Sequence, residues 1–219
     1  MKRLVIFDCD GTLVDGQAAI CDTMDEAFEA ASLPAPDRNE VRRMVGLSLP
    51  HALRLLAPDA SDEKHEAALE AYKSGYRERR VSGILEEPLY HGMAELIDRL
   101  DSAGFLLGVA TGKSDVGLQS CLEKHGIRHR FVTLQTADRH PSKPHPAMLE
   151  EALSEAGVEA SQAVMVGDTT FDIEMACAAG VRAIGVAWGY HEPTELVAAG
   201  ATGVAETMEQ LEDMIHGKS

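Results

Sequence analysis

Residues Leu4-Val5-Ile6-Phe7-Asp8-Cys9-Asp10-Gly11-Thr12-Leu13 decide how this chain is read. An apolar run over residues 3–8, rich in β-branched and aromatic types, stops at a carboxylate, as expected of a buried strand that empties into a loop. Asp8 and Asp10 stand two apart at the strand end, a spacing that aims both carboxylates into the same space. Gly11 lets the backbone turn sharply, and Thr12 and Leu13 anchor the turn.

Three further runs have the same form. Phe105–Ala110 stops at Thr111-Gly112, Ala163–Val166 at Gly167-Asp168, and Arg182–Ala187 near Trp188-Gly189. A fifth strand is expected near Phe131–Leu134. Helical patterns fall at 92–103, 114–125, 145–156 and 171–179, several closed by glycine at 104, 126, 157 and 180. Strands alternating with helices predict an α/β fold: a Rossmann-like, doubly wound parallel sheet that binds ligands at the carboxyl ends of its strands.

Residues 17–86 break the alternation with helices at Ala18–Ala31, Arg38–Met44, Pro50–Leu56 and Asp62–Arg80 and no strand between them. The expected organisation is an α/β core from 1–16 and 87–219 with an all-helical domain, 17–86, inserted after the first strand. Val14-Asp15-Gly16 and Glu86-Glu87-Pro88-Leu89 would form its two-stranded hinge. Neither repeats nor low-complexity tracts occur, and His216–Ser219 is expected to fray.

A length of 219 residues with 45% hydrophobic content suffices for a core domain plus a small insert. The chain has no apolar stretch of about 18 residues, and its N-terminus is unlike a signal peptide, so a cytoplasmic protein is expected. Cys9, Cys21, Cys121 and Cys177 form no CxxC pair and read as reduced, mostly buried thiols. Catalysis by Cys9 is disfavoured, because it lies between two carboxylates. A net charge of −16 without long basic runs excludes nucleic-acid and anionic-membrane partners. It would also repel a phosphorylated substrate, unless a metal and a few lysines supply a local positive centre.

Two close carboxylates repel and need a cation or a shared proton. Magnesium, a hard cation that prefers oxygen ligands, answers that need. An Asp-rich turn is the ordinary alternative, as helix capping is for Asp168 and Asp172 in Gly167-Asp168-Thr169-Thr170-Phe171-Asp172. Acidic pairs at two strand ends of one sheet weigh against both. Thr111 and Gly112, between a strand and a helix, can cradle an anion, with capping again the alternative. Lys143 lies in Pro141-Ser142-Lys143-Pro144-His145-Pro146, where prolines stiffen the backbone and fix where the ammonium points. His140 and His145 flank it and suggest a transition-metal site, but the oxygen-rich cluster favours magnesium. His145 is the better candidate for steadying the loop.

In order and in position relative to strands, these residues resemble the motif set of the haloacid dehalogenase superfamily. Asp8-Cys9-Asp10-Gly11-Thr12-Leu13 is similar to its first motif, Thr111 to its second, Lys143 to its third, and Gly167-Asp168 with Asp172 to its fourth. The resemblance implies that Asp8 attacks phosphorus, and that Asp10 protonates the leaving alcohol and then deprotonates the hydrolytic water. It implies Mg2+ held by Asp8, the backbone carbonyl of Asp10, and Asp168, with Asp172 supporting. Thr111, the N–H of Gly112, and Lys143 would bind the phosphoryl oxygens.

The acid at Asp10 argues against halide displacement. The helical insert resembles the cap of the subfamily of phosphoglycolate phosphatases, related pyrophosphatases and β-phosphoglucomutases. The implied partner is a small phosphorylated metabolite, phosphoglycolate being the single best name, and the expected state is a monomer or homodimer. A cap loop at Val45-Gly46-Leu47-Ser48 would select the substrate through Arg42, Arg43, Gly46, Leu47 and Ser48, although Arg42 and Arg43 also suit an exposed helix face. Gly16 and His91 depart from the subfamily, where Ser or Thr and Pro are common. A phosphomutase, a pyrophosphatase and a non-catalytic binding or regulatory module remain the alternatives.

Overall fold

The computed structural model describes residues 2–217. Its centre is a six-stranded sheet in the order β3-β2-β1-β4-β5-β6, parallel throughout. The strands are β1 Leu4–Phe7, β2 Leu106–Thr111, β3 Phe131–Thr136, β4 Ala163–Gly167, β5 Arg182–Val186 and β6 Val204–Ala205. β1 pairs with β2 on one side and β4 on the other, and Phe7 is in register with both Val109 and Val166. Asp8, Thr111 and Asp168 therefore leave the sheet along one edge, at the point where the strand order reverses and α/β sheets open a crevice.

The unbroken apolar run of β1 has a direct cause. Val5 and Phe7 join a core with Met93, Ile97 and Leu100 of α5 (Met93–Ser102), Leu118 of α6 (Asp115–Lys124) and Leu211 of α10 (Met208–His216). Leu4 and Ile6 join the opposite core with Met148 and Leu149 of α7 (Ala147–Ala156), Ile173 of α8 (Thr170–Ala178) and Leu196 of α9 (Pro193–Ala199). Both faces of the strand are covered, so neither tolerates a polar residue. Burial of each such large side chain contributes roughly 1.5–3 kcal/mol.

The insert folds as α1 (Gln17–Ala30), α2 (Arg38–Met44), α3 (Leu49–Leu56) and α4 (Asp62–Val81). It has its own core, centred on Ile20, Met24, Phe28, Val41, Leu53 and Ala68. The Asp37 carboxylate accepts from Asn39 N and Glu40 N, and Ser61 Oγ accepts from Lys64 N, which starts α2 and α4 where the sequence places them. Its two connections run side by side. Val14 and Leu89 form an antiparallel bridge, Asp15 N donates to Pro88 O, and Tyr90 N donates to Leu13 O.

Element ends differ from the sequence reading by a residue or two, the usual scatter at frayed termini. Additional to it are α9, β6 and α10, with two short 3-10 turns at Arg128–Arg130 and Ala160–Gln162. β6 has only two residues, too few to show a pattern, and its place is set by backbone bonds such as Ala187 N to Ala205 O. The expectation of fraying from His216 onward is corrected for His216 itself. Its ring meets Phe105 edge-on at 5.2 Å, and Arg182 donates to the carbonyls of Met214 and Ile215 in the same turn. Lys218 and Ser219 lie outside the described residues. Cys9, Cys21 and Cys121 are buried and Cys177 is exposed. Among the described residues, no helix is long and apolar enough to cross a membrane.

Candidate active site

Asp8 follows β1 directly, and its N–H donates to Val166 O of β4, so the residue is fixed by the sheet. Its carboxylate is fully buried. Oδ1 lies 2.8 Å from Lys143 Nζ, an ion pair without the alignment of a hydrogen bond, and Oδ2 has no hydrogen-bond partner. Burial pushes the carboxyl up to about 7, with Lys143 opposing and Asp172 adding to the rise. A buried carboxylate oxygen without a partner is expensive. One that faces a cavity is available as a nucleophile or a ligand.

Lys143 is also completely buried, and its ammonium bridges Asp8 and Asp172 Oδ1, the latter at 2.7 Å. Desolvation works to neutralise it, but Asp172 and Asp8 outweigh that effect and hold it above its ordinary range. Asp172 spends its other oxygen on the N–H and hydroxyl of Thr169, closing a capping box at the start of α8. Asp168 Oδ1 accepts from Thr12 Oγ1 at 2.8 Å, and Oδ2 accepts from Tyr190 N at 2.9 Å. Burial, then Asp172 and Asp8, raise its carboxyl well above the usual range.

The carboxylates of Asp8, Asp168 and Asp172, all buried, lie within 4.8 Å of one another. With one lysine between them and an oxygen left unpaired, this donor set fits a hard divalent cation. It is the only such group among the described residues, and no histidine belongs to it. His140 Nε2 instead meets Gln135 Oε1, and His145 Nδ1 accepts from Ala147 N at the head of α7. Two glycines allow this packing. At Gly11, where φ is +85°, a Cβ would stand 2.2 Å from Asp168 Oδ2, and at Gly189 it would stand 2.1 Å from Asp168 Cβ.

Thr111 ends β2 and is buried, with Gly112 next to it. A Cβ on Gly112 would meet the carbonyls of Leu47 and Gly46 at 2.5 and 2.8 Å, so the insert's loop rests on the backbone that would cradle an anion. Ser48 N donates to Ser142 Oγ, tying the same loop to the lysine loop. Gly46, Leu47 and Ser48 line a cavity of about 740 Å³ that reaches Asp8 and Asp10. Arg42 and Arg43 do not line it, which corrects the expectation that they reach substrate. Arg42 turns to Asn39, and Arg43 makes a two-point pair with Glu195 of α9, joining insert to core on the outside.

Lys113 escaped the sequence reading. Its ammonium lies 3.0 Å from Asp10 Oδ1 and contacts Glu87 Oε1, and Tyr76 of α4 donates to that same Glu87 oxygen at 2.7 Å. Core, hinge and insert thus meet at one buried charge cluster. Burial raises the Asp10 carboxyl against the pull of Lys113. Glu87 is pushed up by burial as well, yet Lys113 outweighs this and holds it below its usual range. The signal available in the sequence was a lysine directly after Thr111-Gly112; its carboxylate partner, Glu87, is 26 residues away. Cys9 stays a thiol, since its contact with Cys121 and its burial push its pKa well up.

A buried carboxylate at the end of the central strand, a lysine against it, and a second acidic pair from the next strand form a hydrolase-type site on a doubly wound sheet. The chain belongs to the haloacid dehalogenase-like hydrolases, whose family model matches residues 5–186. It is 37% identical to a Dickeya dadantii protein named Probable phosphatase IndB, over 99% of this chain and 94% of that one. It is 30% identical to a phosphoglycolate phosphatase of Vibrio parahaemolyticus, over 97% and 96% of the two chains. A haloacid dehalogenase-like hydrolase of Streptococcus pneumoniae, 26% identical, superposes with a TM-score of 0.84 over 99% of this chain and 98% of its own.

Proposed function

We propose that this protein is a cytoplasmic, magnesium-dependent phosphatase that hydrolyses the phosphate monoester of a small metabolite through a phosphorylated Asp8. The observation that carries the reading is the buried, unpartnered Asp8 Oδ2 at the floor of a cavity, beside Lys143 and two further carboxylates. Asp8, the backbone carbonyl of Asp10, and Asp168 would hold Mg2+, with Asp172 positioning Lys143. The bound cation would offset the charge of the carboxylates and of the incoming phosphoryl oxygens.

Asp8 Oδ2 attacks phosphorus as the ester P–O bond breaks, and Asp10 gives its proton to the departing alkoxide. Asp10 then takes a proton from the water that attacks the aspartyl phosphate, which releases inorganic phosphate and restores Asp8. The Thr111 hydroxyl, the Gly112 N–H and the Lys143 ammonium hold the phosphoryl oxygens. The raised Asp10 carboxyl suits the acid role, because a proton remains available at higher pH than on a free aspartate.

The test is phosphate release from a panel of phosphoglycolate, sugar phosphates, nucleotides and pyrophosphate, with Mg2+ and with chelator, for the wild type and Asp8→Asn. Expected are metal-dependent release, a phosphorylated Asp8 peptide in quenched reactions, and loss of both in Asp8→Asn. Turnover that survives Asp8→Asn would sink the proposal. An isomerised ester in place of free phosphate would show a mutase.

A further inference from the structure

The cavity above Asp8 is much larger than a phosphoryl group needs. Its volume of about 740 Å³ falls within the range of roughly 300–1,000 Å³ that encloses ligands of drug size. Phosphoglycolate would fill the floor near Thr111 and Gly112 and leave the remainder to water. The walls contributed by the insert do not suit a carboxylate either: Met24, Val41, Met44, Val45 and Leu69 all line the cavity. Tyr72 and Tyr76 continue this wall, with ring centroids 5.5 Å apart and planes within 16°. Burial keeps both phenols protonated, and the Tyr76 hydroxyl is committed to Glu87. What the cavity offers its contents here is apolar surface and aromatic faces.

Towards solvent the character changes. Lys73, Arg77 and Arg80 of α4 line the same cavity, spaced so that they share one helix face. Lys73 is paired with Glu70. The guanidiniums of Arg77 and Arg80 make no ion pair or hydrogen bond among the described residues, whereas Arg79 between them is held by both oxygens of Glu26. In a chain of net charge −16, two adjacent cationic forks left open at a cavity mouth are suited to an incoming anion.

On the phosphatase reading above, we infer that the substrate is a phosphate monoester whose leaving group is a ring-bearing, largely apolar body, well beyond glycolate in size, that carries an anionic group at its far end. The phosphoryl group sits at Asp8, the ring lies against Tyr72 and the Met24–Leu69 wall, and Arg77 and Arg80 take the distal anion.

The test compares kcat/KM for phosphoglycolate, benzyl phosphate and its para-carboxyl derivative. All three leave as alkoxides, so intrinsic reactivity is similar. Expected is an order in which the carboxyl derivative leads, benzyl phosphate follows, and phosphoglycolate trails by about tenfold or more, the scale set by burying a ring in an apolar pocket. In the double variant Arg77→Ala/Arg80→Ala, the advantage of the carboxyl derivative over benzyl phosphate should shrink about tenfold. Phosphoglycolate as the best of the three, with turnover still dependent on Asp8, would overturn the inference and leave the phosphatase reading standing. An unchanged ratio in the double variant would overturn the role of the two arginines. No turnover of any of the three, with metal-dependent release from other esters of the wider panel, would overturn the inference alone; no release from any ester in either set would overturn both readings.

Discussion

Lys143 and Lys113 are each clamped between two carboxylates beside the loop after β1, yet they belong to different parts of the molecule. Lys143 joins Asp8 and Asp172, all three from the α/β core and all fully buried. Lys113 joins Asp10 to Glu87 of the hinge, and through Tyr76 to the helical insert, with its side chain 7% and that of Asp10 11% exposed. The first cluster is assembled within the core alone: Asp8 follows β1, Lys143 comes from the loop between β3 and α7, and Asp172 from the first turn of α8. The second reaches the insert through the Tyr76 hydroxyl on Glu87, so it helps to hold the insert against the core. The same chemistry, a buried ammonium between carboxylates, therefore serves charge balance in one place and domain docking in the other.

Removing Lys143 should have the largest effect. Lys143→Ala leaves two fully buried carboxylates uncompensated, which is expected to cost about 3–5 kcal/mol in urea unfolding of the metal-free protein. Turnover should fall at least about a hundredfold. Added Mg2+ should recover part of the stability, because the cation would take over the missing charge. For Lys113→Ala the expected loss is smaller, about 2 kcal/mol, since Asp10 has some access to water, with a fall in kcat of about tenfold. Mg2+ should recover little of it. Equal recovery in the two variants would erase the distinction drawn here.

Proton competition sharpens the comparison further. With the Asp8 carboxyl pushed up to about 7, a proton must leave before a cation binds. Mg2+ affinity, measured by calorimetry, should therefore tighten by up to about tenfold per pH unit from 5 towards 7 and level off above. The sign for stability is the opposite. In the metal-free protein the raised carboxyl makes the folded state hold its proton longer than the unfolded chain, so this group's contribution falls as pH rises from about 4 to 7. A metal-free Asp8→Asn protein should show a shallower slope, the raised carboxyls of Asp168 and Asp10 keeping the remainder.

The smallest effect is expected from Arg43→Ala. Its pair with Glu195 is half exposed, so its removal should change stability by less than about 1 kcal/mol. The pair does join insert to core, so KM should rise a few-fold while kcat holds, if docking of the insert follows substrate binding. Steady-state kinetics read the two parameters separately.

The first cluster was visible in the sequence because short-range patterns encode it. An apolar run buried on both faces ends at Asp8, and a second ends at Gly167-Asp168; Asp172 follows at capping distance, and the proline-flanked Lys143 stands alone in its loop. The second cluster was hidden because no short-range pattern links Lys113, Tyr76 and the hinge residue Glu87, and only folding brings them within bonding distance. Arg42 and Arg43 show the converse: a basic pair in the right neighbourhood whose side chains turn to Asn39 and Glu195. Likewise β6 has two residues, and neighbouring backbone places it where local preference does not.

By itself, then, the sequence determined the alternation of strands and helices, the helical insert and the carboxylates at the strand ends. Hydrophobic periodicity and turn chemistry act over a few residues and do not depend on what lies across the molecule. Only the tertiary structure decided which cations pair with which carboxylates, where the insert rests on Gly112, and how large and apolar a space remains above Asp8. Those outcomes depend on desolvation and on contacts between residues far apart in the chain, and neither is a property of any one segment.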